Sequence, residues 1–247
     1  MPHPTRLIIA ATQRSGSSMV CEDVANTGVM GRADEWFLKW RPEPEKDWRA
    51  EFSQVLSKGA SYTGMFSVKI MANQIRHTDE CMATYIKVKR PSGPYPYFRA
   101  EFEGAIWVWV RRRDMLDQAI SHYIAQKRGF YHTIADPSRY VPGASIVRSM
   151  FKKKEVDIPY EFQPIISEWS KLERDNLIWK SFFAESGIEP LVLWYEDAQH
   201  QNSAEVIAKH FGLTYPLKTG PRNLSKLPQL QNIRLKKLFL ADLFSRA

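Results

Sequence analysis

Short apolar runs alternate with segments of helical periodicity along this chain, and that alternation restricts the fold more than any other feature. Four runs are predicted to be buried strands because they are apolar, rich in branched or aromatic residues, and flanked by turn residues or charges. They span Leu7–Ala11, Phe66–Ile70, Ile106–Val110 and Leu191–Trp194. Strands that alternate with helices indicate an α/β fold, a parallel sheet with helices on both faces.

Two segments with helical periodicity separate the last two predicted strands. One carries an apolar face from Met115 to Ile124, and a longer one carries such a face from Ile165 to Phe183. Gly187 is predicted to end the longer helix, because glycine readily adopts the left-handed conformation common at helix C-termini. No internal repeat or low-complexity linker interrupts the pattern, which predicts a single domain over residues 1–247.

The charge balance favours an anionic partner. The chain has 35 Lys and Arg against 27 Asp and Glu, a net charge of +8, which is compatible with a nucleotide, a nucleic acid or an acidic membrane surface. The two cysteines, Cys21 and Cys81, form no Cys-x-x-Cys pair, which excludes a disulfide scaffold. No run approaches the roughly 20 apolar residues of a membrane span, so we expect a cytoplasmic protein with at most peripheral membrane contact.

The loop after the first strand, Gln13–Ser18, is suited to hold an anion. It leads into a helix, where backbone N–H groups and the helix dipole favour negative charge. Arg14 adds charge, Gly16 permits close approach, and the two serines that follow add hydroxyls. The loop resembles a P-loop without the Lys-Ser/Thr pair that holds phosphates and magnesium. This favours a donor that needs no metal, and the alternative is an ordinary helix-capping turn.

Three consecutive arginines, Arg111–Arg113, follow the third predicted strand. Such a cluster at the end of a buried strand needs an anion, a carboxylate or water as a partner. An arginine here and Ser121 on the following helix could contact one phosphate. The alternative is a solvated turn in which the arginines pair with Asp114 and Asp117.

These segments together resemble the bacterial trehalose sulfotransferase family over roughly residues 5–215. The order and spacing of the motifs carry the resemblance more than any one of them. The matching segments are Gln13–Ser18, Thr27–Val29, Glu35–Phe37, Lys69–Gln74, Arg112–Asp114 and Gln118–Ser121. The resemblance implies the sulfotransferase fold, a P-loop-like parallel sheet flanked by helices. It also implies transfer of a sulfuryl group from 3′-phosphoadenosine 5′-phosphosulfate to a hydroxyl, which leaves 3′-phosphoadenosine 5′-phosphate and uses no metal.

The resemblance further assigns donor-binding residues. Arg112 and Ser121 would hold the 3′-phosphate, and Arg113 stands where the trehalose enzymes have proline. A late basic loop of the family has Lys226 as its nearest equivalent, which could equally be one more surface lysine. The first loop would grip the phosphosulfate end through Arg14, Gly16, Ser17 and Ser18, with Ser15 also counted as donor-binding.

Glu35 occupies the family position of the general base that takes the proton of the acceptor hydroxyl. By itself it would be interpreted as a solvated loop acid. Lys69, close to the end of the second predicted strand, could support the transferring sulfuryl oxygens or hold acceptor hydroxyls. It could equally form an ion pair with Glu35, which would change the pKa of the base without direct catalysis.

Four aromatic residues follow Glu35 and suggest a carbohydrate acceptor, because aromatic faces can pack on the C–H surface of a sugar. The alternative is that they belong to the core. They are Trp36, Phe37, Trp40 and Trp48. The sequence does not choose between a free carbohydrate, a glycolipid headgroup and another small hydroxyl compound as the acceptor. It is also compatible with a homodimer.

Two other functions compete with sulfuryl transfer. A P-loop-like nucleotide-dependent kinase is opposed by the missing Lys-Ser/Thr pair. A non-enzymatic binder of nucleic acid would explain the charge, but a recognition motif is lacking, so we expect no nucleic-acid partner. His77 and Cys81 lie one helical turn apart, and two potential ligands are too few for a metal site.

Overall fold

A four-stranded parallel sheet forms the centre of the computed structural model, which describes residues 5–129, 131–136, 138–139, 142, 157–214, 216–225 and 230–246. The strands are β1 (Arg6–Ala11), β2 (Phe66–Met71), β3 (Ile106–Arg111) and, after a short strand described below, β5 (Leu191–Trp194). Their order across the sheet is β2-β1-β3-β5. The four predicted strands are confirmed, each to within one residue at either end.

Helices cover both faces of this sheet, which confirms the predicted α/β fold. Gly187 ends the longest helix with a φ of 64°, as the sequence predicts. No helix among the described residues is long and apolar enough to cross a lipid bilayer. The helices are α1 (Ser17–Asn26), α2 (Trp48–Gly59), α3 (Ala72–Met82), α4 (Pro96–Glu101), α5 (Met115–Arg128), α6 (Phe162–Ser186), α7 (Tyr195–Ala198), α8 (Ser203–Phe211) and α9 (Leu230–Arg246).

A second, two-stranded sheet is not predicted by the sequence pattern. It pairs β4 (Thr133–Ile134) with β6 (Leu224–Ser225) in antiparallel fashion. Strands of two residues are too short to show an alternation of apolar and polar side chains, so periodicity could not reveal them. This ribbon joins the loop after α5 to the segment before α9.

The aromatic residues that follow Glu35 belong mainly to the core. Phe37, Trp40 and Trp48 are at most 4% exposed, and the Phe37 and Trp40 ring centroids lie 4.8 Å apart. Trp36 is partly buried against the same cluster. Packing on sugar rings is therefore the wrong interpretation of the buried three, since burial in the core leaves them no face for an acceptor.

Candidate active site

A cavity of about 600 Å³ lies where the carboxyl ends of the four parallel strands meet. Four of its lining residues belong to or closely follow β1, β2, β3 and β5: Gln13, Lys69, Arg112 and Tyr195. This is the edge at which open α/β sheets bind ligands. The predicted site residues that line the cavity are Arg14, Gly16, Ser17, Ser18, Glu35, Lys69, Arg112 and Ser121. Ser15 is buried beside it, and Lys226 lies outside the described residues.

The turn at Gly16 depends on glycine for two reasons. Its φ is 89°, in the left-handed region, where side chains with a Cβ are strained. A Cβ built at this position would lie only 2.5 Å from Cδ2 of Tyr195, so the aromatic ring already occupies that space. Helix α1 begins at the next residue, and the turn thus presents the helix N-terminus to the cavity.

Arg14 reaches across the cavity to α5. Its Nε donates a hydrogen bond to Ser121 Oγ at 3.1 Å, and its Nη1 donates to the Tyr131 carbonyl oxygen. Burial, together with the nearby positive charge of Arg112, lowers the pKa of Arg14 to about 10. Two guanidinium groups therefore face one space in which an anion would relieve their repulsion.

Arg112 is held between an acid and an aromatic ring. Its Nη2 forms an ion pair with Asp117, and its guanidinium carbon lies 4.6 Å from the centroid of the Tyr195 ring. Its Nε is buried and has no hydrogen-bond partner among the described residues. A buried donor of this kind is costly unless a ligand or water accepts its hydrogen bond.

The other two arginines of the triplet point away from this space. The Arg111 guanidinium lies 4.3 Å from the Trp109 ring centroid and 4.8 Å from that of Trp194. Arg113 is exposed and forms an ion pair with Asp197 at 2.8 Å. Of the three, only Arg112 lines the cavity.

Glu35 and Lys69 form an ion pair at the cavity wall. Lys69 Nζ lies 3.0 Å from Glu35 Oε1 and donates to Ser18 Oγ at 3.2 Å, while Gln74 Nε2 donates to Glu35 Oε2 at 2.7 Å. Burial opposes the charge of Glu35, but Lys69 and the two hydrogen bonds outweigh it and lower the pKa of the carboxyl. Burial likewise opposes the charge of Lys69, and Glu35 raises the pKa of the ammonium above its ordinary value. The predicted ion pair is therefore present.

Several cavity residues were missed by sequence reasoning. Tyr195 directly follows the fourth predicted strand, so its position at the carboxyl edge could have drawn attention to it. His132 Nε2 lies 3.3 Å from Ser18 Oγ. His122 Nδ1 lies 2.5 Å from Glu168 Oε2, and its side chain lines the cavity. No local pattern signals either histidine.

The described residues contain no group of three or more His, Cys, Asp or Glu side chains that could hold a metal ion. His77 pairs with Glu80 at 3.2 Å, and Cys81 is buried in the core. His77 and Cys81, the two potential metal ligands noted in the sequence, thus have structural roles other than metal binding.

Comparisons with known proteins identify the family of this chain. The family model described as Stf0 sulphotransferase matches residues 6–232. The chain is also similar to trehalose 2-sulfotransferase of Mycolicibacterium smegmatis (strain ATCC 700084 / mc(2)155), with 22% identity over 226 residues and 78% of each chain covered. The resemblance noted from the sequence motifs is thereby confirmed. The chain belongs to the Stf0 sulphotransferase family.

Proposed function

We propose that this sulfotransferase moves a sulfuryl group from 3′-phosphoadenosine 5′-phosphosulfate to a hydroxyl of a carbohydrate or glycolipid, with Glu35 as general base. One observation carries the proposal. Three cationic side chains from different strand ends, Arg14, Lys69 and Arg112, line one cavity whose wall also holds the Glu35 carboxylate. Such an arrangement can bind a multiply charged anion and accept a proton beside it.

The residues of the cavity fit the donor. Arg112 Nε is buried in the cavity wall without a hydrogen-bond partner among the described residues, as expected of a group that awaits a phosphate oxygen. Arg112 and Ser121 would hold the 3′-phosphate. The backbone at Gly16 and the hydroxyls of Ser17 and Ser18 would hold the phosphosulfate end, which supplies an activated sulfuryl group when bound.

Lys69 provides the cation that the first loop lacks. In nucleoside triphosphatases the P-loop itself carries a lysine. Here Lys69 enters from β2 and donates to Ser18 Oγ at 3.2 Å, so an ammonium group lies against the loop although none is in its sequence. It can stabilise negative charge that develops on the sulfuryl oxygens and the leaving phosphate oxygen.

Glu35 is prepared to accept a proton. Its lowered pKa keeps it ionised at neutral pH, and Gln74 fixes one carboxylate oxygen at 2.7 Å. When the acceptor hydroxyl oxygen bonds to sulfur, the bond from sulfur to the 5′-phosphate oxygen of the donor breaks and 3′-phosphoadenosine 5′-phosphate leaves. The hydroxyl proton passes to a Glu35 oxygen while Lys69 stays as the neighbouring cation. The two residues therefore have separate roles, since Glu35 removes the proton and Lys69 balances charge.

Similarity and the cavity wall near Glu35 support a carbohydrate acceptor. The mycobacterial relative is named for its action on trehalose, which favours a carbohydrate. Leu38 follows Glu35 within one turn, its N–H donating to the Glu35 carbonyl at 3.0 Å, and it lines the cavity with Met71. These apolar side chains suit the C–H face of a sugar. A cytoplasmic location and a single domain over residues 1–247 complete the proposal.

Two measurements test the proposed function. Calorimetry should show stoichiometric binding of 3′-phosphoadenosine 5′-phosphate at physiological salt, whereas a nucleic-acid binder would ignore this nucleotide and lose affinity steeply with salt. Incubation with labelled donor and a metabolite extract should then give a sulfated product identifiable by mass spectrometry. Labelling that depends on ATP and magnesium in place of the sulfuryl donor would contradict the proposal in favour of a kinase.

A further inference from the structure

His132 contacts the loop Gln13–Ser18, which is proposed to bind the donor and is called the donor loop below, but it has no part in the mechanism given above. Its Nε2 lies 3.3 Å from Ser18 Oγ, and Ser18 Oγ in turn accepts a hydrogen bond from Lys69 at 3.2 Å. Since Lys69 pairs with Glu35 at 3.0 Å, a continuous polar chain connects the histidine to the proposed base. Ser18 lies at the centre of this chain.

The chemistry of the three groups restricts where the Ser18 hydroxyl hydrogen can point. An ammonium group only donates, so the Ser18 oxygen must accept from Lys69. Burial and the positive charges of Arg14 and Lys69 hold the pKa of His132 well below its ordinary value, so its ring is neutral and Nε2 either accepts from Ser18 or donates to it. If Nε2 donates, the Ser18 oxygen accepts hydrogen bonds from both Lys69 and His132. The Ser18 hydroxyl hydrogen can then be donated to a ligand.

The placement of His132 is built into the fold. It immediately precedes β4. Asn223 holds the segment that follows β4 in place: the Asp136 N–H donates to Asn223 Oδ1, and Asn223 Nδ2 donates to the Asp136 carbonyl oxygen, both at 2.6 Å. The Leu224 N–H donates to Glu22 Oε2 at 2.9 Å. Glu22 is fully buried on α1, the helix that begins at the donor loop. The histidine and the loop are therefore held to the same helix.

We propose that His132 is a positioning residue for donor binding: with Lys69 it holds the Ser18 oxygen so that the hydroxyl hydrogen is directed at the anionic end of the donor. An anion favours the tautomer in which Nε2 carries the proton, because that tautomer frees the Ser18 hydrogen. The inference rests on the proposed function, because it assumes that Ser18 contacts the donor. His132 acts on the donor only through Ser18, and this dependence can be measured.

A double-mutant cycle on donor affinity tests the dependence. Calorimetry with 3′-phosphoadenosine 5′-phosphosulfate, without acceptor, is applied to the wild type, His132→Phe, Ser18→Ala and the double variant. Each single substitution should weaken binding by about tenfold, the effect of one hydrogen bond to a charged group. The double variant should bind no more weakly than Ser18→Ala. Losses that multiply in the double variant would overturn the inference.

A conservative variant separates hydrogen bonding from packing. His132→Gln keeps an amide N–H that can donate to Ser18 and should retain most of the affinity that His132→Phe loses. Equal losses in both would contradict the inference. If His132→Phe does not fold, as judged by thermal melting, His132→Asn takes its place in the cycle, because its shorter side chain does not reach Ser18. A wild type that binds no donor would refute the proposed function itself, which is a different outcome from multiplying losses.

Discussion

Lys69 Nζ lies 3.0 Å from Glu35 Oε1, and the two side chains are only 2% and 13% exposed. This pair connects the proposed base to the donor loop, because the same ammonium group donates to Ser18. A buried ion pair does little for net stability but is costly to break, since removal of one partner leaves an uncompensated charge. The pair therefore ties the ionisation of the proposed base to the cation proposed to face the sulfuryl group, and substitutions at either residue should affect both.

Arg112→Ala should abolish the preference for a 3′-phosphate. Loss of one charge-assisted contact weakens binding of 3′-phosphoadenosine 5′-phosphate by about 1.5 to 3 kcal/mol, while adenosine 5′-phosphate is affected little. Calorimetry with both nucleotides measures the difference. Arg113→Ala is the matched control: Arg113 is exposed and paired with Asp197, so its loss should leave both affinities unchanged. A preference unchanged in Arg112→Ala would remove this arginine from the site.

Gly16→Ala should destabilise the fold and weaken donor binding. The φ of 89° alone costs a residue with a Cβ about 1 to 2 kcal/mol, and the contact with Tyr195 adds to this. Gly212→Ala provides the control, because Gly212 also has a positive φ of 64° but a Cβ there meets nothing within 4 Å. Urea denaturation should show a larger loss for Gly16→Ala. Equal losses of unfolding free energy would mean that the Tyr195 ring moves aside for the added Cβ without destabilising the protein.

The strands and the loops that follow them could be predicted because their signals are local. A run such as Leu7–Ala11 is apolar throughout, as buried parallel strands are, and Gln13–Ser18 shows its glycine and hydroxyls directly in the sequence. Local reasoning identifies Arg112 only as one of three adjacent arginines, and it was the family resemblance that distinguished it from its neighbours. Which of three adjacent arginines turns into the cavity depends on Asp117, Tyr195 and the edge of the sheet.

Contacts between distant segments account for what could not be predicted. Glu35 and Gln74 are hydrogen-bonded although 39 residues separate them, and Ser18 is 114 residues from His132. The core role of Phe37 and Trp40 also depends on how α2 and α4 fold against them, which periodicity does not report. The family resemblance identified Glu35, which no local pattern distinguishes from a surface acid.

Turnover should not depend on a metal ion. The donor loop has no Lys-Ser/Thr pair of the kind that positions magnesium beside a triphosphate, and Lys69 supplies a cation in its place. The rate of sulfuryl transfer should therefore be the same with excess chelator as with added magnesium. Activity that disappears in chelator and returns with magnesium would support the kinase interpretation.

Lys69→Met should shift the acid limb of the pH–rate profile to higher pH. In the wild type, Lys69 lowers the pKa of Glu35, so the base stays ionised below the pH at which an ordinary glutamate protonates. Without the ammonium group, only the Gln74 hydrogen bond opposes burial, and the pKa of Glu35 rises. The profile of kcat/KM against pH measures the shift. If the limb stays in place while the rate falls, Lys69 acts on the sulfuryl group alone.

The same pair makes stability depend on pH at both extremes. The folded pKa of Glu35 is lowered, so its contribution is present above the unfolded pKa and is lost as pH falls through the folded value. The folded pKa of Lys69 is raised, so its contribution is present below the unfolded pKa and is lost as pH rises through the folded value. Both contributions should be absent from the double variant Glu35→Gln/Lys69→Met, which denaturation across pH can show.

Glu35→Gln should reduce turnover by roughly 10²- to 10⁴-fold, the usual contribution of a positioned general base. Glutamine keeps the size of glutamate and can still accept a hydrogen bond from Lys69, but it cannot take a proton. Because it also leaves Lys69 without a counter-ion, the free energy of unfolding should fall by about 1 to 3 kcal/mol. A loss of stability alone therefore does not exclude catalysis, and the rate must be measured on folded, donor-saturated enzyme.

Asp34→Asn is the matched control for Glu35→Gln, since it neutralises the adjacent carboxylate, which accepts a hydrogen bond from the Glu35 N–H at 2.7 Å. Single-turnover rates, donor affinity and melting temperature are compared for both variants. We expect donor affinity within about threefold of the wild type for each, because neither carboxylate is proposed to touch the donor phosphates. Only Glu35→Gln should lose the chemical step. A near-normal single-turnover rate in Glu35→Gln would limit that residue to pairing with Lys69, and the proton would then need another acceptor in the cavity.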